Sequence, residues 1–311
     1  MKWRILTALS ATLLLATVAV GYVLVRSADA GPDDRASAVR LDGTGLLLRD
    51  TASGRLAVQR PDGTRVRSLL PCARVYAAGG TAACIREGPG SFEVTVLDRH
   101  MKELRSIPLN GVPNRARVSA SGRMVAWTVF VTGDSYNGGR FSTRSGVLDT
   151  HINTLAGNLE DFTVDGRRPP TDANFWGITF ADDDNLFYAT MSTGSHRFLM
   201  RGDFRRRDLH RIKDNVECPS LSPDGTRIAY KRRLNDSSWR LTVLRLADLK
   251  EIPLAEDRSV DDQAAWMDDS SIAYGLPQAQ GRGADVWTVP ADGSGVPRLQ
   301  ARDAESPAAL S

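Results

Sequence analysis

Seven polar side chains stand just ahead of short apolar runs: Arg115, Asp172, Asn174, Glu217, Asp261, Asp262 and Gln263. If they meet, they bring together four carboxylates, two amides and one guanidinium. Such a set could hold a cation, a polar ligand or a peptide bearing Arg or Lys. Oxygen donors of this kind suit a hard metal, and Ca²⁺ fits them best. Glu217 paired with Asp261 or Asp262 could also act as acid and base on a glycosidic bond, if about 5–10 Å separated them. Other catalytic chemistry is thin. There is no Gly-x-Ser-x-Gly nucleophile turn, and His100, His151, His196 and His210 are scattered without metal-binding spacing. Whether the seven meet depends on the elements that carry them.

The clearest element is Glu217–Arg232, ECPSLSPDGTRIAYKR. It reads as strand, Pro-Asp-Gly turn with positive φ at Gly225, and a second strand through Ile228-Ala229-Tyr230. Aligned on Leu221, weaker copies begin at Val39 (VRLDGTGLLL), Val75 (VYAAGGTAAC), Val118 (VSASGRMVAW), Phe180 (FADDDNLFY) and Trp266 (WMDDSSIAY). The anchors at 39, 75, 118, 180, 221 and 266 lie 36, 43, 62, 41 and 45 residues apart. About 40–50 residues is the length of one four-stranded propeller blade. The spacing predicts an all-β, six-bladed propeller over residues 37–311.

Third strands are expected at Arg55–Gln59, Phe92–Leu97, Phe141–Leu148, Phe198–Arg201, Trp239–Leu244 and Asp285–Val289. More polar fourth strands are expected at Arg65–Leu69, Leu104–Leu109, Phe162–Val164, Leu209–Ile212, Glu251–Leu254 and Arg298–Gln300. The long third unit carries its surplus in Gly133–Arg140 and Asn158–Asn174. The tail Glu305–Leu310 echoes the approach to a further anchor and reads as a closing strand beside the first unit. In a propeller the innermost strand of every blade starts on the same face, so the seven polar residues are expected around one channel mouth. Trp127, Trp176, Tyr230, Trp239, Trp266 and Trp287 fall at strand positions and are read as packing between blades.

The N-terminus has a targeting pattern. Basic Lys2 and Arg4 precede 21 uncharged residues, Ile5 to Val25, enough to span a bilayer, and Arg26 closes the run. Residues 1–26 are read as a signal anchor, or as a signal peptide cleaved near Ala28-Asp29-Ala30, with residues 27–36 as a linker. The propeller is then expected outside the cytoplasmic membrane or secreted. An oxidising compartment admits a Cys72–Cys84 bridge, but hairpin register would place Ala73 opposite Cys84 and point the thiols to opposite faces. A bulge would restore the bridge, and both outcomes stay open. Cys218 reads as a buried thiol. The net charge of +3 gives no case for nucleic acid, although arginines number 35 against five lysines.

SPDGTRIAY at residues 222–230, with its degenerate copies, resembles the repeat of TolB-type six-bladed propellers. RARVS (115–119), NFWGITF (174–180), ECPSLSPDG (217–225) and SVDDQ (259–263) are similar to the actinobacterial TolB-like translocation protein group. The resemblance covers residues 36–311 and implies a monomeric, membrane-anchored or secreted propeller. The α/β domain that precedes the propeller in TolB itself has no counterpart here, which argues against a literal Tol–Pal role. The expected function is a non-catalytic interaction module for a protein or peptide at the cell envelope, without a cofactor. The alternative is an exported hydrolase or lyase acting on wall glycan through an acidic funnel.

Overall fold

The computed structural model describes residues 39–131 and 142–310 of the 311-residue chain. The targeting segment, the linker and the loop Gly133–Arg140 lie outside the described residues. Residues from Ala38 onward form one compact unit.

Six sheets make the blades of a propeller. From the channel outward, blade 1 has strands Ala304–Leu310, Gly45–Asp50, Arg55–Gln59 and Arg65–Pro71, and blade 2 has Arg74–Ala78, Thr81–Glu87, Phe92–Leu97 and Glu103–Leu109. Blade 3 has Val112–Val118, Met124–Val131, Ser142–Asp149 and Thr154–Ala156, and blade 4 has Asn174–Phe180, Leu186–Thr193, His196–Asp203 and Asp208–Asp214. Blade 5 has Glu217–Leu221, Arg227–Asn235, Ser238–Arg245 and Glu251–Pro253, and blade 6 has Ala265–Trp266, Ser271–Pro277, Ala284–Pro290 and Arg298–Ala301. The expected third strands fall within observed ones, except that Phe141, the expected start of the one in blade 3, lies outside the described residues.

The turns explain why the repeats form hairpins. Asp224 accepts from the N–H and hydroxyl of Thr226, and Asp62, Asp268 and Asp292 do the same for Thr64, Ser270 and Ser294. An Asp side chain that mimics the backbone of a turn ends each strand at a fixed place. Between the blades, side chains from facing sheets fill the core. Met124, Val147, Phe175, Phe187 and Met200 pack blade 3 on blade 4. Tyr230 and Tyr274 are fully buried and donate to Glu251 and Glu256 at 2.7 and 2.5 Å. Burial raises both phenol pKa values, and the bonds to carboxylates add to the shift.

Three expectations need correction. Val39 does not lead an inner strand. The tail Ala304–Leu310 takes that place, pairing Gly45 with Leu310 and Leu47 with Ala308. Val39 and Leu41 instead pack into the core between blades 1 and 2, where the N–H of Leu41 donates to Arg99 O at 3.0 Å. Second, the outer strand of blade 3 is Thr154–Ala156, and Thr163–Val164 crosses to blade 4 as a fifth strand, parallel to Asp208–Asp214. Part of the extra length of the third unit, Thr163–Val164, therefore serves the next blade. Third, the register objection to a cysteine bridge fails. Val75 sits opposite Cys84, and Cys72 lies before the strand at the bend between blades, where alternation no longer applies. Cys72 and Cys84 are joined by a disulfide, with their Cα atoms 5.5 Å apart.

Candidate functional site

The inner strands of blades 4 and 5 are bulged where they reach the channel. Register breaks between Trp176 and Thr179 and between Glu217 and Ser220. Gly177 and Cys218, at these breaks, have φ of +66° and +51°. A Cβ on Gly177 would lie 2.6 Å from Cys218 Cα, so the two bulges touch and only glycine fits. The Cys218 N–H donates to Thr190 Oγ1 at 2.9 Å, which holds the left-handed conformation of a residue that otherwise avoids it. Trp176 and Glu217, next to the bulges, both reach a cavity of about 370 Å³ at the channel mouth.

Five cations line that cavity, Arg74, Arg115, Arg197, Lys231 and Arg233, against three carboxylates, Glu217, Asp236 and Asp261. Glu217 accepts from Trp239 Nε1 at 3.0 Å, with Arg197 Nε 4.0 Å away. Lys231, only 4% exposed, pairs with Asp261 and lies 4.4 Å over the Trp239 ring. Arg115 donates to Asn114 O and Asp261 O at 2.9 and 3.4 Å, and its guanidinium stands 3.9 Å from the Asp261 carboxylate. The surrounding walls alone would push the Asp261 carboxyl up, although 63% of the side chain meets solvent. The charges of Lys231, Arg115 and Arg74 outweigh burial and hold it below the usual range, so it carries no proton at neutral pH. Phe130, Trp176 and Trp239 supply aromatic wall.

Arg115, Glu217 and Asp261 are thus the members of the expected seven that line this cavity. The other four join parts of the ring. Asp172 accepts from Thr193 Oγ1 and the Gly194 N–H, both at 2.6 Å, closing a blade 4 hairpin. Asn174 Oδ1 accepts from the Thr143 N–H at 2.7 Å and so ties blade 4 to blade 3. Asp262 accepts from the N–H groups of Gln263 and Gly275 at 2.8 and 2.9 Å. Gln263 donates to Ile178 O and Pro219 O at 3.1 and 2.8 Å, linking blades 4, 5 and 6. The expected acidic funnel is therefore a mouth in which cations outnumber carboxylates. Among the described residues no group of three or more His, Cys, Asp or Glu side chains could hold a metal ion. Cys218 is a buried free thiol.

Beside the mouth lies a second depression of about 610 Å³, between the hairpins Ser195–Arg197 of blade 4 and Arg233–Asp236 of blade 5. Arg197, Arg233 and Asp236 line both, so cavity and groove adjoin at these side chains. Leu234 stands in the groove with 58% of its surface exposed. Strand starts alone do not reveal Arg197, Lys231 and Arg233. One signal was present: Lys231 and Arg233 share the face of Ala229 on the second strand of blade 5, where an apolar residue would be expected.

No family model matches the chain, and no curated protein matches it. Solved structures share its architecture. TolB from Acinetobacter baumannii superposes with a TM-score of 0.61 at 16% identity, covering 86% of this chain and 66% of its own. The chain thus spans just under two thirds of that protein's length. A putative TolB from Agrobacterium tumefaciens gives 0.51 at 10% identity, over 82% of this chain and 87% of its own. A chain of a nidogen/laminin complex gives 0.58 at 11% identity, over 86% and 99%. At such identities the likeness is one of fold: an all-β, six-bladed propeller like that of TolB.

Proposed function

We propose that this chain is a non-catalytic binding module of the cell envelope, and that the channel mouth with its adjoining groove receives a segment of a protein partner. The carrying observation is that the mouth cavity, about 370 Å³, adjoins the groove of about 610 Å³ between the hairpins of blades 4 and 5, with Arg197, Arg233 and Asp236 lining both. An extended segment fits such a path, with the indoles of Trp176 and Trp239 as apolar wall and Leu234 as an exposed anchor. The lining charges favour a segment bearing carboxylates over the basic one suggested by strand starts alone. The nidogen propeller, crystallised in a complex with laminin, supports a partner-binding reading of the fold. So does the engagement of Glu217 by Trp239 and of Asp261 by Lys231, which leaves the glycan-cleaving alternative without a free carboxylate pair at the mouth. On this reading the apolar run at residues 5–25 tethers the propeller outside the cytoplasmic membrane, or directs its secretion.

The test is cross-linking in the native membrane, comparing the intact chain with Arg233→Glu and Leu234→Asp. Both residues lie in the groove and outside the buried core. Each substitution is expected to lower partner capture at least tenfold while leaving the melting temperature within about 2 °C. Equal capture of the same partners by both variants would show that the binding face lies elsewhere. Asp262 is a poor choice for this test, because losing its bond to Gly275 would disturb blade 6 itself.

A further inference from the structure

Arg117 is 4% exposed on the inner strand of blade 3. Its Nη2 donates across the ring to Ala264 O of the segment entering blade 6, at 3.1 Å, and its guanidinium lies 4.1 Å from the Tyr76 ring centre. Nε has no partner, and among the described residues no carboxylate pairs with this side chain. The other cations of the channel differ: Lys231 has Asp261 and Arg74 has Glu305. Lysine can relieve burial by losing its proton, but arginine cannot. A permanent charge removed from water and left without a counterion is costly, and an anion from outside would relieve it.

A place for that anion exists. Where the inner strands end, opposite the mouth, a cavity of about 250 Å³ has Arg117 in its wall. Phe180, Leu221, Trp266 and Leu310 make much of the lining, with hydroxyls from Ser119 and Ser220. Asp182, exposed, is the one acidic lining residue. Arg117 also borders the narrow space of about 20 Å³ at the channel waist, so it lies between the two.

We infer that this lower cavity binds a small carboxylate with an apolar body, its carboxylate on the Arg117 guanidinium and its body against Phe180, Leu221 and Trp266. Guanidinium and carboxylate match through two parallel N–H···O bonds, which strengthen away from water. One cation with Asp182 in the wall favours a single negative charge over phosphate. The site is separate from the mouth and stands or falls without it.

The test titrates the full chain, in neutral detergent, with benzoate, acetate, phosphate and chloride by calorimetry. In parallel, the Arg117 Nε–H resonance is followed after assignment through its own backbone. Benzoate should saturate one site per chain and shift that resonance, with acetate binding more weakly. Arg117→Met should reduce benzoate affinity at least tenfold. Absence of saturable benzoate binding, or affinity unchanged in Arg117→Met, overturns the site. Phosphate or chloride binding more tightly than benzoate overturns the carboxylate assignment. If Arg117→Met does not fold, the resonance of the unaltered chain decides, and no shift with benzoate overturns the inference.

Discussion

Asp50 is 1% exposed, accepts from the N–H and hydroxyl of Ser53, and meets Arg65 and Arg67 at 3.2 and 2.9 Å. Burial alone would raise its pKa. The bonds from Ser53 and Arg67 outweigh burial and lower it to about 2. Because the folded value lies below the unfolded one, the stabilisation is complete above about pH 4 and is lost as pH falls through the folded pKa. Asp149 and Glu256 shift the same way. Unfolding free energy should therefore be nearly flat from pH 7 to 5 and fall below pH 4. Asp50→Asn should cost about 1–2 kcal/mol at neutral pH, after allowance for the exposure of Arg67, and flatten part of the acid slope. Denaturant titrations from pH 3 to 7 measure both, and an unchanged slope would remove Asp50 from the account. At the mouth, Asp261→Ala leaves Lys231 buried without its carboxylate and should cost about 1–2 kcal/mol, less than a fully buried pair because Asp261 itself is 63% exposed. Adding Lys231→Met should recover most of that loss in a double-mutant cycle, whereas simple additivity would show the pair to be uncoupled. The seven strand-start residues were legible as a ring, since a propeller aligns strand starts in space. Which of them face the mouth cavity was not, because Asp172, Asn174, Asp262 and Gln263 are taken up by partners brought close only by the closed ring.

Gly177→Ala must fit a Cβ 2.6 Å from the backbone of Cys218 while keeping φ near +66°. A loss of about 2–3 kcal/mol is expected from this one methyl, measured by urea unfolding. A loss below about 0.5 kcal/mol would mean that the two bulges do not touch as described. The Cys72–Cys84 bridge, with a sequence separation of 12, staples the exit of blade 1 to blade 2. Replacing both cysteines by serine should cost about 2–3 kcal/mol. Comparison of midpoints with and without reductant checks this, and equal midpoints for the intact chain would argue against the bridge. At this scale the hairpins were readable because aspartate-led turns write their chemistry locally. Two assignments failed for a shared reason. Phe162–Val164 and Val39 have local patterns suited to strands, but their partners lie in blade 4 and in the core between blades 1 and 2, beyond the reach of a local pattern.

The ring closes by pairing strand Gly45–Asp50 with strand Ala304–Leu310, the first and last described strands of the molecule. Removing residues 304–311 should leave blade 1 without its inner strand and expose Leu47 and Leu56. Loss of the single cooperative melting transition is expected, and a truncated chain that melts as the intact one does would contradict ring closure as a condition of stability. Joining two ends so distant is not itself costly, since closure entropy grows by only about 0.6 kcal/mol per doubling of loop length. The cost is one of time. Gly45–Asp50, GLLLRD, leaves the ribosome before every other described strand, yet its inner edge stays unpaired until Ala304–Leu310 arrives. For most of the chain's synthesis, Leu46-Leu47-Leu48 is an open apolar edge of the kind that recruits other strands. The same pairing that gives the finished ring a closed edge makes its first blade the most aggregation-prone part of the growing ring, and the natural place for a chaperone to hold.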